Sequence, residues 1–199
     1  MLEIKVFNKY PSAGVKIEDP GLRLYLNLKP IIVPCTFGRQ AYKKFGKSNV
    51  HIVERLIQKL QNPGHKGKKH WRTSKYCTGK SSTHVRIVEA AFHIIEQKLH
   101  KNPIEVLVKA IENTGPREEV TVIEMGGMRV PKQVDTAPQR RVDMSLRWIV
   151  QGTFQATAAK KITIEQGLAD EIMNAAANDS KAFAVSKCGE TERQAGASK

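Results

Sequence analysis

The residues best suited to chemistry crowd into one stretch of this 199-residue chain. Thr78, Gly79, Lys80 and Ser81 reproduce the end of a phosphate-cradling loop, in which backbone amides and a lysine hold a nucleotide's phosphates. The full motif needs a glycine at position 74 after a buried strand. Ser74 stands there and the preceding segment is charged, so a solvated basic loop explains the four residues better. His65, His70, Cys77 and His84 are nitrogen and sulfur donors within twenty residues, which suggests zinc. Four, six and six residues separate them, a spacing that fits no common finger or ribbon, and each donor sits among cations that repel a metal. The expectation is therefore no metal and no cofactor, with the histidines acting as hydrogen-bond donors to phosphate or bases.

Catalytic groupings fare no better. Glu118 and Glu119 are adjacent and fall on opposite faces of a strand, while Asp170 and Glu171 lie in a helical pattern where solvated charge is the default. Cys35 has no histidine nearby, so a nucleophile and base pair would need long-range assembly. The chain reads as no enzyme. What the basic loop does carry is Trp71 and Tyr76 among Arg72, Lys75 and Lys80. Rings interleaved with cations suit RNA, because rings cover exposed bases while Lys and Arg hold the backbone. Trp71 serves equally well as a cap on the hydrophobic core, and both readings stand.

Charge sharpens the choice of partner. The chain has 33 Lys and Arg against 19 Asp and Glu, a net charge of +14. Positions 39 to 86 hold thirteen of the cations and one acid, Glu54, for +12, which leaves +2 for the other 151 residues. So concentrated a field attracts polyanions and releases their counterions, which makes nucleic acid the leading partner. A membrane surface is not expected, because the basic stretch is mixed with Gly, His, Ser and Thr and lacks the apolar face of an interfacial helix. No apolar run approaches the roughly 20 residues of a membrane span, the N-terminus does not read as a signal peptide, and three scattered cysteines argue for a reducing, cytoplasmic setting.

The elements that position these residues follow from periodicity. Positions 1–47 hold four prolines and no helical period, which predicts an irregular arm laid on something else. Val50, Val53, Leu56, Ile57 and Leu60 then recur at helical spacing, with Ser48 or Asn49 as the expected cap. A basic loop follows at 64–83. A second helix runs from about Thr83 to His100 on an apolar stripe that includes Val88, Phe92 and Ile95, and Asn102 and Pro103 restart a third. At Val120 the period changes to two, and Gly126 and Gly127 supply a turn between two strands. Pro131 marks the return strand as an edge. A two-stranded ribbon is marginal alone, so the ribbon at 117–135 is expected to project and to be ordered by a partner. A fourth helix spans about 138–157, with Arg140, Arg141 and Arg147 directed away from its apolar face, and Thr163 with Gln166 starts a fifth. The expectation is a mainly α chain: a single helical domain at 48–186 of five to six helices, a protruding β-ribbon, and at the end a short turn or helix followed by a frayed C-terminal tail at 187–199.

Several motifs are more specific. The Asn-Pro helix start at 102 and 103, Gly-Pro-Arg-Glu at 115 to 118, Gly-Gly at the ribbon tip, Val-Pro at 130 and 131, and Pro-Gln-Arg-Arg followed by Leu-Arg-Trp occur in that order. This stretch resembles the universal small-subunit ribosomal protein seven family, protein five in eukaryotic nomenclature. Upstream, Val53, Glu54 and the Gly67, Lys68, Lys69 triplet fit that family's first helix and basic loop, and the resemblance covers roughly residues 35 to 195. The Pro-Gln-Arg-Arg form and the long arm look archaeal or eukaryotic.

What the resemblance implies is a ribosomal protein of the small subunit that binds the 3′ major (head) domain of small-subunit rRNA and promotes head assembly. Its other partners would be mRNA, exit-site tRNA and neighbouring small-subunit ribosomal proteins. Carried onto this chain, the rRNA-binding candidates are Arg39, Lys43, Lys44, Lys47, Lys68, Lys69, Arg117, Lys132, Arg140, Arg141 and Arg147. The ribbon tip, Met125, Gly126, Gly127, Met128 and Arg129, is the candidate for the tRNA and mRNA side. The segment from His70 to about Thr83 is an insertion relative to the family's spacing, so Trp71, Arg72, Lys75, Tyr76 and Lys80 stand as RNA-binding candidates on their own chemistry. From Lys187 onward the chain is less basic than many relatives. A free RNA-modifying or RNA-processing enzyme and a DNA-binding architectural protein are the competing classes.

Overall fold

The computed structural model describes residues 4–63, 65–66, 69–70, 77–160 and 162–198. Two short strands, β1 (Lys5–Val6) and β2 (Tyr10–Pro11), open the chain as a hairpin. Two 3-10 turns, Arg39–Tyr42 and Gly46–Asn49, lead into helix α1 (Ile52–Leu60). A second small hairpin, β3 (His65–Lys66) with β4 (Lys69–His70), lies where an unstructured loop was expected. Helices α2 (Ser81–Leu99) and α3 (Pro103–Thr114) follow, then the ribbon β5 (Glu118–Met125) and β6 (Met128–Asp135). Helices α4 (Pro138–Lys160), α5 (Ile164–Ala176) and α6 (Phe183–Gly196) complete the fold. The mainly α architecture with one protruding ribbon is as the sequence predicts.

Helix α5 is the hub, packed against α2, α3 and α4. Its Leu168 and Ile172 are fully buried with Phe92 and Ile95 of α2, Leu107 and Ile111 of α3 and Ile149 of α4. These are the residues of the helical stripes, so burial of that stripe is what folds the bundle. Asn102 caps α3 as expected, its side chain accepting from the Ile104 amide, and Thr163 caps α5 by accepting from the Gln166 amide.

Three elements depart from expectation. The arm lies on the chain's own core: Val6, Tyr10, Leu22 and Leu26 are buried in it, and Phe7 and Tyr10 meet the Phe92 ring edge-on at 6.3 and 5.9 Å. An arm with no period still folds because a few well-placed side chains fill the bundle's open side. The first helix begins later than its pattern and is capped by His51, whose Nδ1 accepts from the Val53 amide. Ser48 instead donates to Gln139 on α4, and Ser48 and Asn49 both lie in the second 3-10 turn, ahead of the helix start.

At the C-terminus, α6 runs on to Gly196, longer than the short turn or helix expected before the tail. No side chain at its own N-terminus caps it. Glu171 of α5 does so across the fold, accepting from the Ala184 amide at 2.9 Å and from the Phe183 amide. Burial pushes the Glu171 carboxyl up from its ordinary range while those two amides pull the other way. The geometry needs Gly152 on α4, where a Cβ would lie 2.7 Å from the Glu171 carboxyl carbon and 2.8 Å from the Phe183 Cβ.

Two outcomes follow for stability. Gly152→Ala, an overpacking change at this three-helix junction, lowers unfolding free energy by about 1–3 kcal/mol, read as a lower thermal midpoint; an unchanged midpoint contradicts the close approach. His51 is 2 % exposed, and burial lowers its imidazole to about 4. A depressed histidine is neutral in the fold, so its contribution is complete above pH 6.5 and is lost as pH falls through about 4. Denaturant titrations across that window register a loss of about 3 kcal/mol from this group. His51→Asn, which keeps a capping side chain, flattens that part of the profile.

Candidate nucleic-acid interface

The structure gathers part of the predicted set around one carboxylate. Asp143, on α4, accepts from the Lys47 ammonium at the end of the arm and from the Arg55 guanidinium on α1, the latter at 2.9 Å. Helical spacing places Arg147 one turn beyond Asp143, and α1 packs against α4. Lys59, a turn beyond Arg55, is half-buried between them. Burial lowers its ammonium from the ordinary value, as do the charges of Arg147, Lys47 and Arg55, and only Asp143 opposes them. Four cations thus share one anion.

Arg55 and Lys59 were not singled out from the sequence, since in a helix pattern they look like ordinary solvated positions. Arg55 is in fact buried; desolvation lowers its guanidinium, and Asp143 counters that shift. The signal that would have found them is the i, i+4 spacing of two cations beside the apolar stripe of α1.

Arg39, Lys43 and Lys44 stand on the exposed loop that feeds Lys47 into this cluster. Among the described residues none of them forms an ion pair, and neither does Arg147. Exposed cations without carboxylate partners cost little in water and remain available to phosphate oxygens.

The ribbon base is built differently. Arg140 is exposed but paired with Glu119 at 2.6 Å. Arg141, expected on the outer face with Arg140 and Arg147, points inward because a helix turns about 100° per residue. It is 8 % exposed, lies 2.8 Å from Asp19 of the arm and donates to the Gly115 carbonyl. Burial pushes the Asp19 carboxyl up, but the Arg141 hydrogen bond, the Gly21 amide and the charges of Arg141 and Arg117 outweigh it and hold it below its ordinary value. Arg117 is exposed at the start of the ribbon, and its amide donates to Glu192 of α6.

The ribbon itself is not a cationic finger. Residues 118–135 hold Arg129 and Lys132 against Glu118, Glu119, Glu124 and Asp135. Register sets Glu124 opposite Arg129, Thr121 opposite Lys132 and Met125 opposite Met128, with Gly126 and Gly127 at φ 57 and 80 in the turn. Val122, Ile123, Met128 and Val130 are exposed. The expectation that a partner orders the ribbon is modified at its base: α6 packs on both strands, and the Ser198 carbonyl accepts from the Gln133 amide at 3.3 Å.

Of the basic segment at 64–83, Lys80 is exposed and its carbonyl accepts from the His84 amide at 3.2 Å. Lys68, Trp71, Arg72, Lys75 and Tyr76 lie outside the described residues, and Lys69, His65 and His70 are described in backbone only. His84 is buried, its Nδ1 2.6 Å from the Lys80 carbonyl, and Cys77 is half-buried. Among the described residues no three His, Cys, Asp or Glu side chains are grouped to hold a metal ion, and no helix is long and apolar enough to cross a membrane.

A helical core with an uncompensated cationic face and a projecting ribbon defines a protein built to lie against a polyanion. Comparison with known proteins places it more closely: residues 23–199 match the family model described as ribosomal protein S7p/S5e, and the chain belongs to that family. It is 46% identical to the small ribosomal subunit protein uS7 of Nanoarchaeum equitans over 98% of each chain. It is 49% identical to the protein of that name from Archaeoglobus fulgidus, over 97% of this chain and 94% of the other. With the one from Methanothrix thermoacetophila it shares 47% identity over 98% of this chain and 100% of the other.

The two kinds of arginine on α4 should separate cleanly in denaturant unfolding. Arg141→Ala removes the ion-pair partner of Asp19 and costs about 1–3 kcal/mol, whereas Arg147→Ala changes stability by no more than about 0.5 kcal/mol. Equal effects would contradict the assignment of one arginine to the fold and the other to the surface.

Proposed function

We propose that this chain is a structural, non-catalytic constituent of the small ribosomal subunit in the cytoplasm. It binds the 3′ major domain of small-subunit rRNA and supports assembly of the head. The observation that carries the reading is the cationic face around Asp143, where Lys47, Arg55, Lys59 and Arg147 converge and Arg39, Lys43 and Lys44 stand unpaired beside it. Family membership supports the ribosomal setting.

Phosphates of folded RNA neutralise the excess charge, and shape selects the site, since side chains cannot read the deep, narrow major groove of A-form RNA. Arg117 and Arg140 extend the contact toward the ribbon base, where Glu119 moderates the charge of Arg140. At the ribbon tip, Met125, Gly126, Gly127, Met128 and Arg129 face mRNA and exit-site tRNA. The exposed apolar side chains and the low net charge of the ribbon support contact through bases and sugar edges more than through phosphates alone. Neighbouring small-subunit ribosomal proteins complete the surroundings.

Filter binding to a transcript of the 3′ major domain across a salt series tests the reading. Affinity falls steeply with salt, and replacing both Lys47 and Arg147 with Ala lowers the magnitude of the log–log slope by about 1 to 2. A flat salt response, or equal affinity for arbitrary duplex RNA, refutes specific rRNA binding.

A further inference from the structure

Between the buried part of the arm and α1, the chain displays three large rings to solvent. Phe37 is 87% exposed, Tyr42 78% and Phe45 66%. Three such rings within nine residues expose much apolar area for no gain in the isolated fold. Their exposure does not come from a loose loop. The segment is tied down at one end by Thr36, whose amide and hydroxyl both donate to Glu54 of α1, at 2.8 and 2.7 Å. Further along, the Ala41 amide donates to the Gly38 carbonyl and the Gly46 amide to the Lys43 carbonyl. At Gly46 the chain approaches itself so closely that any Cβ would overlap the Gln40 carbonyl.

Backbone conformation turns the rings outward. Phe37 and Phe45 both adopt positive φ, 52 and 58, a conformation that bulky residues avoid. Two strained aromatics in one short segment, both presenting their rings to solvent, point to a surface held ready for a ligand.

The charge pattern says which ligand. The Lys43 ammonium lies 5.5 Å from the Tyr42 ring centroid and the Lys44 ammonium 5.8 Å from the Phe45 centroid, so two of the rings each carry a cation at their side. Positions 20–53 contain six Lys and Arg and no acid. An apolar protein surface would satisfy the rings and leave these cations unmatched. An unpaired RNA strand satisfies both, offering base faces to the rings and phosphates to the ammonium groups. A continuous A-form helix does not, because its base faces are already stacked. Beside Phe37 an open cleft, bordered by Arg39, Asn49 and Val50, leaves room for a splayed nucleotide.

We propose that segment 37–45 is a base-stacking platform for unpaired nucleotides of the bound RNA, with Phe37, Tyr42 and Phe45 as the stacking rings. The inference rests on the rRNA-binding reading and adds to it the recognition of single-stranded bases by the arm.

The test uses the full chain and the 3′ major domain transcript in filter binding over a salt series. Phe37→Ala, Tyr42→Ala and Phe45→Ala each weaken binding about 5- to 150-fold with the salt slope unchanged, since stacking releases no counterions. Tyr42→Phe retains near-normal affinity, and all four variants melt at the unaltered temperature because the rings are exposed. The double change of Lys43 and Lys44 to Ala behaves oppositely, reducing the slope. If the three alanine variants bind like the unaltered chain, the platform is refuted while rRNA binding stands; their loss from small subunits in a sucrose gradient would then identify the rings as a protein contact. Absence of salt-sensitive binding by the unaltered chain overturns both readings.

Discussion

The Asp143 carboxylate is the point through which three parts of the chain communicate. It lies on α4, accepts from Arg55 on α1 and takes Lys47 from the end of the arm. Without it, Lys47, Arg55, Lys59 and Arg147 would repel one another across a helix contact, where partial burial strengthens every charge interaction. With it they are held together, yet the neighbourhood keeps an excess of positive charge that the protein alone does not neutralise. A site of this kind is stable enough to fold and unsatisfied enough to bind a polyanion. That balance links the architecture to the function.

The core provides the rigidity this arrangement needs. Helix α5 is surrounded by α2, α3 and α4, and α6 is brought in by the Glu171 carboxylate over Gly152. The arm then closes the open side of the bundle with Val6, Tyr10, Leu22 and Leu26 before emerging as the ring-bearing loop. The second ion pair, Arg141 with Asp19, fastens the arm near the ribbon base. Cations therefore divide by burial and partner: those matched to an acid inside the fold hold elements together, and those left unmatched stand on the surface. Type of residue alone does not make the distinction, since Arg140, Arg141 and Arg147 lie on one helix and have three different surroundings.

Much of this was legible in the chain. Helices with a strong apolar stripe and a sharp start, such as the one opened by Asn102 and Pro103, were readable because the local signal and the tertiary demand agree. The ribbon was readable because Gly126 and Gly127 allow one tight turn between alternating strands. What was hidden depends on long-range contact. Helix α6 draws its cap from Glu171, thirteen residues before Ala184, so its own residues signal no more than a short helix before a tail. His51 became the cap because Ser48 and Asn49 were drawn into a 3-10 turn that delays the helix start to Ile52. The inward turn of Arg141 and the burial of Arg55 require knowing which helices touch. Phe37, Tyr42 and Phe45 gave no signal, because exposure cannot be read from residue type.

The central claim is that the RNA-facing charge is the unmatched set on the arm, α1 and α4. Its most direct test is lysine acetylation of the full chain, alone and bound to the 3′ major domain transcript, with each site quantified by mass spectrometry. Lys43, Lys44 and Lys59 should be protected by RNA, while Lys9, Lys98 and Lys109, which are paired with Glu89, Asp170 and Glu18, should keep their free-state reactivity. Protection spread evenly over both groups, or confined to the second, would contradict it.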